Sequence, residues 1–178
     1  MALPEPVETL WRELASVRAD VLKEVEGLTQ AQADWRPGEK QWSVGEIVHH
    51  LTIAEIATGK LTSKLTKDAA ALKPFPADLR AFPPLAIDAA RRADAPEVVW
   101  PEAGKPIATL VADMKAARER SRQSIDKLGS VDPRPLVFKH FVLGELHLAQ
   151  WWQLQASHDA VHLQQIRDVK ASPGFPGG

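Results

Sequence analysis

Residues 41–51 read QWSVGEIVHHL, and the architecture turns on this stretch. Ser43 stands three places before Glu46, the spacing of a capping box, in which each side chain accepts the other residue's backbone N–H. A helix is therefore expected to begin here. Through residue 67 the apolar side chains Val44, Ile47, Val48, Leu51, Ala54, Leu61 and Leu65 recur every three or four places, the period of an amphipathic helix. Two adjacent histidines sit on it. A helix turns by about 100° per residue, so with Ile47 at zero the apolar stripe centres near +20°. His50 then falls at about −60°, on the edge of the buried face, and His49 at about 200°. The phasing predicts His50 inside and His49 against solvent or a partner.

The same period recurs on both sides. Residues 5–28 carry Val7, Leu10, Trp11, Leu14, Val17, Val21, Val25 and Leu28, with Pro4 and Pro6 suited to a first helical turn. Residues 106–128 present Ile107, Leu110, Val111, Met114, Ala117, Ser121, Ile125 and Leu128. Residues 145–169 form a fourth helix, with Leu148, Trp151, Leu154, Gln155, His158, Val161, His162, Gln165, Ile166 and Val169 expected on its inner face. By the same angles Trp152 is expected to point away. Between these helices, GLTQAQADWRPGEKQW (27–42) reads as a turn-rich connector. GSVDPRPLVFKHFVLGE (129–145) reads as an irregular link, extended near residues 136–141. Residues 70–104 hold Pro74, Pro76, Pro83, Pro84, Pro96 and Pro101. So long a connection is expected to cross from one end of a bundle to the other, or to cover a site. Four long amphipathic helices without strand alternation predict an all-α four-helix bundle with long crossovers. One domain is expected over residues 1–170, with a flexible C-terminal tail, ASPGFPGG, over 171–178.

Composition narrows the function. The formal net charge of −1 and the lack of any basic stripe argue against a nucleic-acid partner. No apolar run is long enough to span a membrane, and no secretory leader is visible, so a cytoplasmic protein is expected. There is no cysteine and no tyrosine. Any metal must therefore be held by nitrogen and oxygen donors, and neither a thiolate nor a phenol from the chain can take part in catalysis.

The fourth helix carries the chemistry. His158 and His162 are four residues apart, so their rings stack on one side of the helix, in the middle of the expected apolar stripe. Buried polar groups cost free energy unless satisfied, and a lone inward histidine needs only one hydrogen bond. Two at i, i+4 with a third, His50, on a facing helix point to a divalent metal held by three neutral imidazoles. The segment HDAVH differs from the zinc-peptidase pattern H-E-x-x-H by an aspartate, and no downstream third ligand follows. Asp159 and Glu46 read as solvated surface carboxylates. His147 lies about 16 Å along the helix from His158, too far to share its metal, and His140 sits in the irregular link. Trp42, Trp151 and Trp152 read as core rather than as a substrate platform.

The segments WRPGEKQWSVGEIVHHL and SHDAVHLQQI, with LGELHLAQWW leading into the last helix, resemble the DinB/YfiT-like superfamily over most of the chain. The resemblance implies an up-down-down-up bundle, commonly a homodimer, with a mononuclear zinc or nickel site of three histidines: His50, His158 and His162. It also implies chemistry with a low-molecular-weight thiol such as bacillithiol, mycothiol or glutathione. Three readings follow. The preferred one is a metal-dependent S-transferase joining a small thiol to an electrophilic small molecule. The others are a hydrolase using metal-activated water and a non-catalytic metal binder or sensor. Gln155 and Gln165 are candidates to hydrogen-bond a ligand histidine or the substrate, and no catalytic acid or base is assigned.

Overall fold

Prolines open two of the long helices, where a missing N–H costs nothing and φ is already helical. The computed structural model describes residues 2–68, 72–86 and 95–177. Helix α1 is Glu5–Val25, entered through Pro4. A short helix α2, Gln30–Asp34, follows inside the connector that the sequence left as turns. Thr29 caps it, in a capping box closed by Gln32. Helix α3, Val44–Leu65, begins at Ser43 with the expected box: Ser43 Oγ accepts from Glu46 N–H at 3.2 Å, and Glu46 Oε2 accepts from Ser43 N–H at 2.8 Å. A 3-10 turn, Glu97–Val99, leads towards α4, Ile107–Ser130, which is entered through Pro106. Strands β1, Val137–His140, and β2, Gly144–His147, pair antiparallel, and α5 is Leu148–Ala171.

The helices form the predicted four-helix bundle, and two apolar clusters give its topology. One joins the end of α1 (Val21, Val25), the starts of α3 (Val44, Ile47, Val48, Leu51) and α4 (Leu110, Met114), and the end of α5 (Leu163, Ile166, Val169). The other joins the start of α1 (Val7, Leu10, Leu14), the end of α4 (Ile125, Leu128) and the start of α5 (Leu148, Trp152), with Leu65 of α3 packed against it. So α1 and α5 run one way and α3 and α4 the other: up, down, down, up. Consecutive α3 and α4 are parallel, and the long segment between them is the crossover that parallelism demands. Part of it, residues 69–71 and 87–94, lies outside the described residues. Among the described residues no helix is long and apolar enough to cross a membrane.

Between the two apolar clusters lies a charged layer. Each long helix gives one side chain: Arg18 from α1, Glu55 from α3, Arg118 from α4 and Asp159 from α5, all buried. Arg18 meets Asp159 through two nitrogens at 2.9 Å each and Glu55 at 2.9 Å; Arg118 meets Glu55 at 2.8 Å and Asp159 at 3.0 Å. Arg118 also donates to the Leu14 carbonyl. The ring closes with two positive and two negative charges, which is what allows four ions to leave water together. It overturns the reading of Asp159 as a surface carboxylate. Glu46 is buried too, held by Arg36 and its capping box.

Other expectations need correction. In the link at 129–145 the part expected to be extended is strand β1, but it pairs with β2 in a β-hairpin that runs to His147 and whose three-residue loop returns through Gly144 at φ +79°, a left-handed conformation suited to glycine. On α5, Trp152 is fully buried and donates Nε1–H to Thr62 Oγ1 at 3.0 Å, whereas Val161 is 64% exposed. The buried face runs through Ala149, Trp152, Gln155, Asp159 and Leu163, about one residue beyond the predicted one. It follows that His158 and His162 lie at the edge of the stripe rather than its middle. The second half of α3 buries Glu55, Thr58 and Thr62 in place of Ala54, Leu61 and Leu65. The segment expected to be a loose tail docks: Phe175 meets Trp35 edge-on at 5.6 Å, and the Pro176 carbonyl accepts from Gln32 Nε2 at 3.0 Å.

Candidate metal centre

The crossover packs against α3 through both histidines of the opening stretch. His50 Nδ1 lies 2.7 Å from the Val99 carbonyl. A carbonyl can only accept, so Nδ1 carries the proton and Nε2 presents a lone pair. His49 Nδ1 accepts from the Glu102 N–H at 2.9 Å, so its ring, partly exposed, also touches the crossover. Val99 of this segment is buried, with its carbonyl against His50.

His50 Nε2 lies 2.9 Å from His158 Nε2, and His162 Nε2 lies 3.0 Å from that same atom. The candidate ligand atoms of all three residues fall within 4.8 Å of one another, and among the described residues no fourth histidine or carboxylate joins the group. Gln165 Oε1 is 2.6 Å from His162 Nδ1, which places that ring's proton on Nδ1 as well. Two lone pairs therefore converge on His158 Nε2. One proton there can serve only one of them.

A second proton is disfavoured. Burial pushes His50 below its ordinary pKa, and the Val99 carbonyl offsets only part of that. Burial lowers His162 to about 4. His158 is held well below the ordinary histidine range by burial, then by the charges of His162 and His50, with Arg18 and His140 adding to the effect. Three neutral imidazoles with converging lone pairs are a donor set that fits a divalent cation, and imidazole suits zinc, nickel, copper or iron. The Trp42 ring packs over this cluster, 4.8 Å from His50 and stacked 6.2 Å from His162. A shallow depression between α1 and α5, around Ser16 and Ser157, contains none of the three histidines.

The remaining histidines are accounted for separately. His147 is the N-cap of α5: its Nδ1 accepts from Gln150 N–H at 3.2 Å and Gln150 Oε1 accepts from its own N–H at 3.0 Å. His140 ends β1. Gln155 turns to Thr58, whose hydroxyl donates to its Oε1 at 3.3 Å, and does not meet a ligand histidine. The sequence reading missed Val99, because a backbone carbonyl leaves no trace in residue type. It also missed the charged ring behind the site, although a signal was present. Arg18 follows Leu14 at four residues and precedes Val21, inside an otherwise apolar stripe, and Arg118 follows Met114 in the same way.

Comparison with known proteins agrees with the four-helix fold. The uncharacterized protein YuaE of Bacillus subtilis (strain 168) is 24% identical over 157 residues, covering 86% of this chain and 92% of its own. The crystal structure of TT2238, a four-helix bundle protein, superposes with a TM-score of 0.63 at 18% identity, covering 91% of this chain and 98% of that one. A family model described as the DinB superfamily matches residues 13–166. With its bundle, its crossover and its three converging histidines, the chain belongs to the DinB superfamily.

Proposed function

We propose that this protein is a metal-dependent enzyme in which His50, His158 and His162 hold one divalent ion, zinc or nickel, for transfer of a small thiol to an electrophilic small molecule. The observation that carries the metal reading is the meeting of three Nε2 atoms when two of the rings have their proton on Nδ1. Three ligands leave coordination positions for an exchangeable ligand, as catalytic sites do. When bound, the ion supplies Lewis acidity toward a thiol or a water molecule.

The chain's own residues do the positioning. Val99 and Gln165 orient the imidazoles and raise their basicity as donors. Trp42 and Val99 shield the cluster from water. The chain has no cysteine, so a thiol would arrive as cosubstrate, in keeping with the resemblance to thiol-dependent relatives. A homodimer is part of the same proposal, and sedimentation in solution reads it directly.

The test is elemental analysis of untagged protein, with His158→Ala as control, followed by turnover assays. About one zinc or nickel per chain, lost in the variant, is expected. Consumption of bacillithiol, mycothiol or glutathione against a panel of electrophiles should then depend on that metal. Turnover without thiol would assign the hydrolase reading instead. Absence of metal, with no uptake of added zinc or nickel at neutral pH, would remove both enzymes.

A further inference from the structure

The β-hairpin that the bundle did not lead one to expect brings a fourth histidine against Trp151 at the start of α5. The hairpin leans on α5: Trp151 Nε1 donates to the Phe138 carbonyl at 3.3 Å, and the Trp151 and Phe138 rings lie 6.3 Å apart. On its other side Lys64 of α3 sits 4.8 Å over the Phe138 ring. The hairpin thus spans α3 and α5, the two helices that supply the metal-ligand candidates. Its last β1 residue, His140, lies tilted against Trp151 at 5.2 Å and Phe141 at 4.5 Å between ring centres. Trp151 and His158 are seven residues apart on one face of α5, two turns, or about 10 Å of rise.

The hydrogen bonds of His140 determine its chemistry. Its Nδ1 accepts from the backbone N–H groups of Val142 and Leu143, at 3.1 and 3.2 Å. An atom that accepts two N–H groups carries no proton, so in the neutral ring the proton is on Nε2. Protonating Nδ1 would set it against both amides. His140 is thereby oriented as a donor through Nε2. Among the described residues its Nε2 has no hydrogen-bond partner. Exposed apolar surface surrounds it, with Phe141 at 59% and Phe138 at 39%.

We propose that His140 Nε2–H, framed by Trp151 and Phe141, is a substrate-binding donor for a carbonyl-type oxygen on an apolar body whose other end reaches the three-histidine centre. This rests on the metal reading above. It makes His140 a specificity-determining residue, and it sets the substrate class: an electrophile that carries a carbonyl-type oxygen at the end of an apolar body away from the metal.

Two replacements separate the donor from the fold. His140→Asn puts Oδ1 where Nδ1 was, keeps an acceptor for Val142 and Leu143, and removes the Nε2 donor. His140→Phe keeps the ring against Trp151. The probe is the visible spectrum of cobalt-loaded protein, titrated with acetohydroxamate and with alkyl hydroxamates of rising length, plain or ending in a methyl ketone. At the best length the ketone should bind wild type about tenfold more tightly than its plain match, the scale of one net hydrogen bond. That gain should vanish in both variants, while acetohydroxamate binds all three proteins alike. Nitrogen-15 NMR of the metal-free protein should show His140 protonated at Nε2. A gain that survives both replacements, no gain at any length in wild type, or the opposite tautomer would each overturn the proposal. Wild type without cobalt bands would instead remove the metal reading beneath it.

Discussion

Arg18 and Asp159, on helices at opposite ends of the chain, meet through two parallel hydrogen bonds of 2.9 Å and are both buried. Asp159 follows directly on His158, so this pair pins the stretch of α5 that carries the two candidate ligands. With Glu55 and Arg118 it completes a ring in which each ion faces two of opposite sign. Removing one member leaves an uncompensated charge out of water. Arg18→Met or Asp159→Asn is therefore expected to lower unfolding free energy by about 3–5 kcal/mol in urea titrations. A loss below about 1 kcal/mol in both would mean that water reaches this layer.

The histidine cluster makes the metal-free protein sensitive to acid. The folded-state pKa of His162 lies at about 4, against an ordinary value of 6.5, and His158 is shifted the same way. The unfolded chain therefore binds protons first as pH falls. Stability should be at its full value above about pH 7 and decline between 6.5 and about 4, with His162 alone contributing roughly 3 kcal/mol to the loss. Denaturation midpoints of chelator-treated protein across that range check the sign. Replacing His162 by Gln should flatten the slope.

Metal affinity should depend on hydrogen bonds that never touch the metal. Gln165→Leu removes the acceptor on His162 Nδ1 and is expected to weaken zinc or nickel binding by about 10- to 100-fold in competition with a chelator. His50→Ala should abolish tight binding. His49→Ala should leave one metal per chain, because its ring anchors Glu102 and not the cluster. The reverse result for the two histidines would sink the assignment.

Adjacent tryptophans should behave unequally. Trp152 is fully buried and hydrogen-bonded to Thr62, so Trp152→Ala should cost about 3–5 kcal/mol. Trp151 is only partly buried, against the hairpin, and its loss should cost clearly less and act mainly on the hairpin. Equal losses in thermal or urea unfolding would contradict the helix phase described above.

Much of the fold was legible. Ser43 with Glu46 announced the start of α3 to the residue, because a capping box is made by side chains close in sequence. His50, His158 and His162 were legible as a group, since helical phase and an i, i+4 spacing place rings without knowledge of the neighbours. Phase was also where the reading slipped. The stripe of α5 is wide, because the helix packs on both α1 and α3, and its centre cannot be located from apolar residues when Gln155 and Asp159 share the buried face. The hairpin escaped because four-residue strands carry too few positions for an alternation to show.

Local chemistry, then, is what the sequence determined by itself: where α3 starts, which histidines share a helical face, and that no cysteine takes part. Tertiary structure alone decided the partners. A buried Asp159 and an exposed aspartate are the same letter, and only the arrival of Arg18, 141 residues away, and of Arg118 makes burial tolerable. In the same way, Val99 orients His50 through a carbonyl that every residue possesses. Periodicity records how much water a face meets, whereas pairing across the bundle depends on which faces meet, and that is set only when all four helices close.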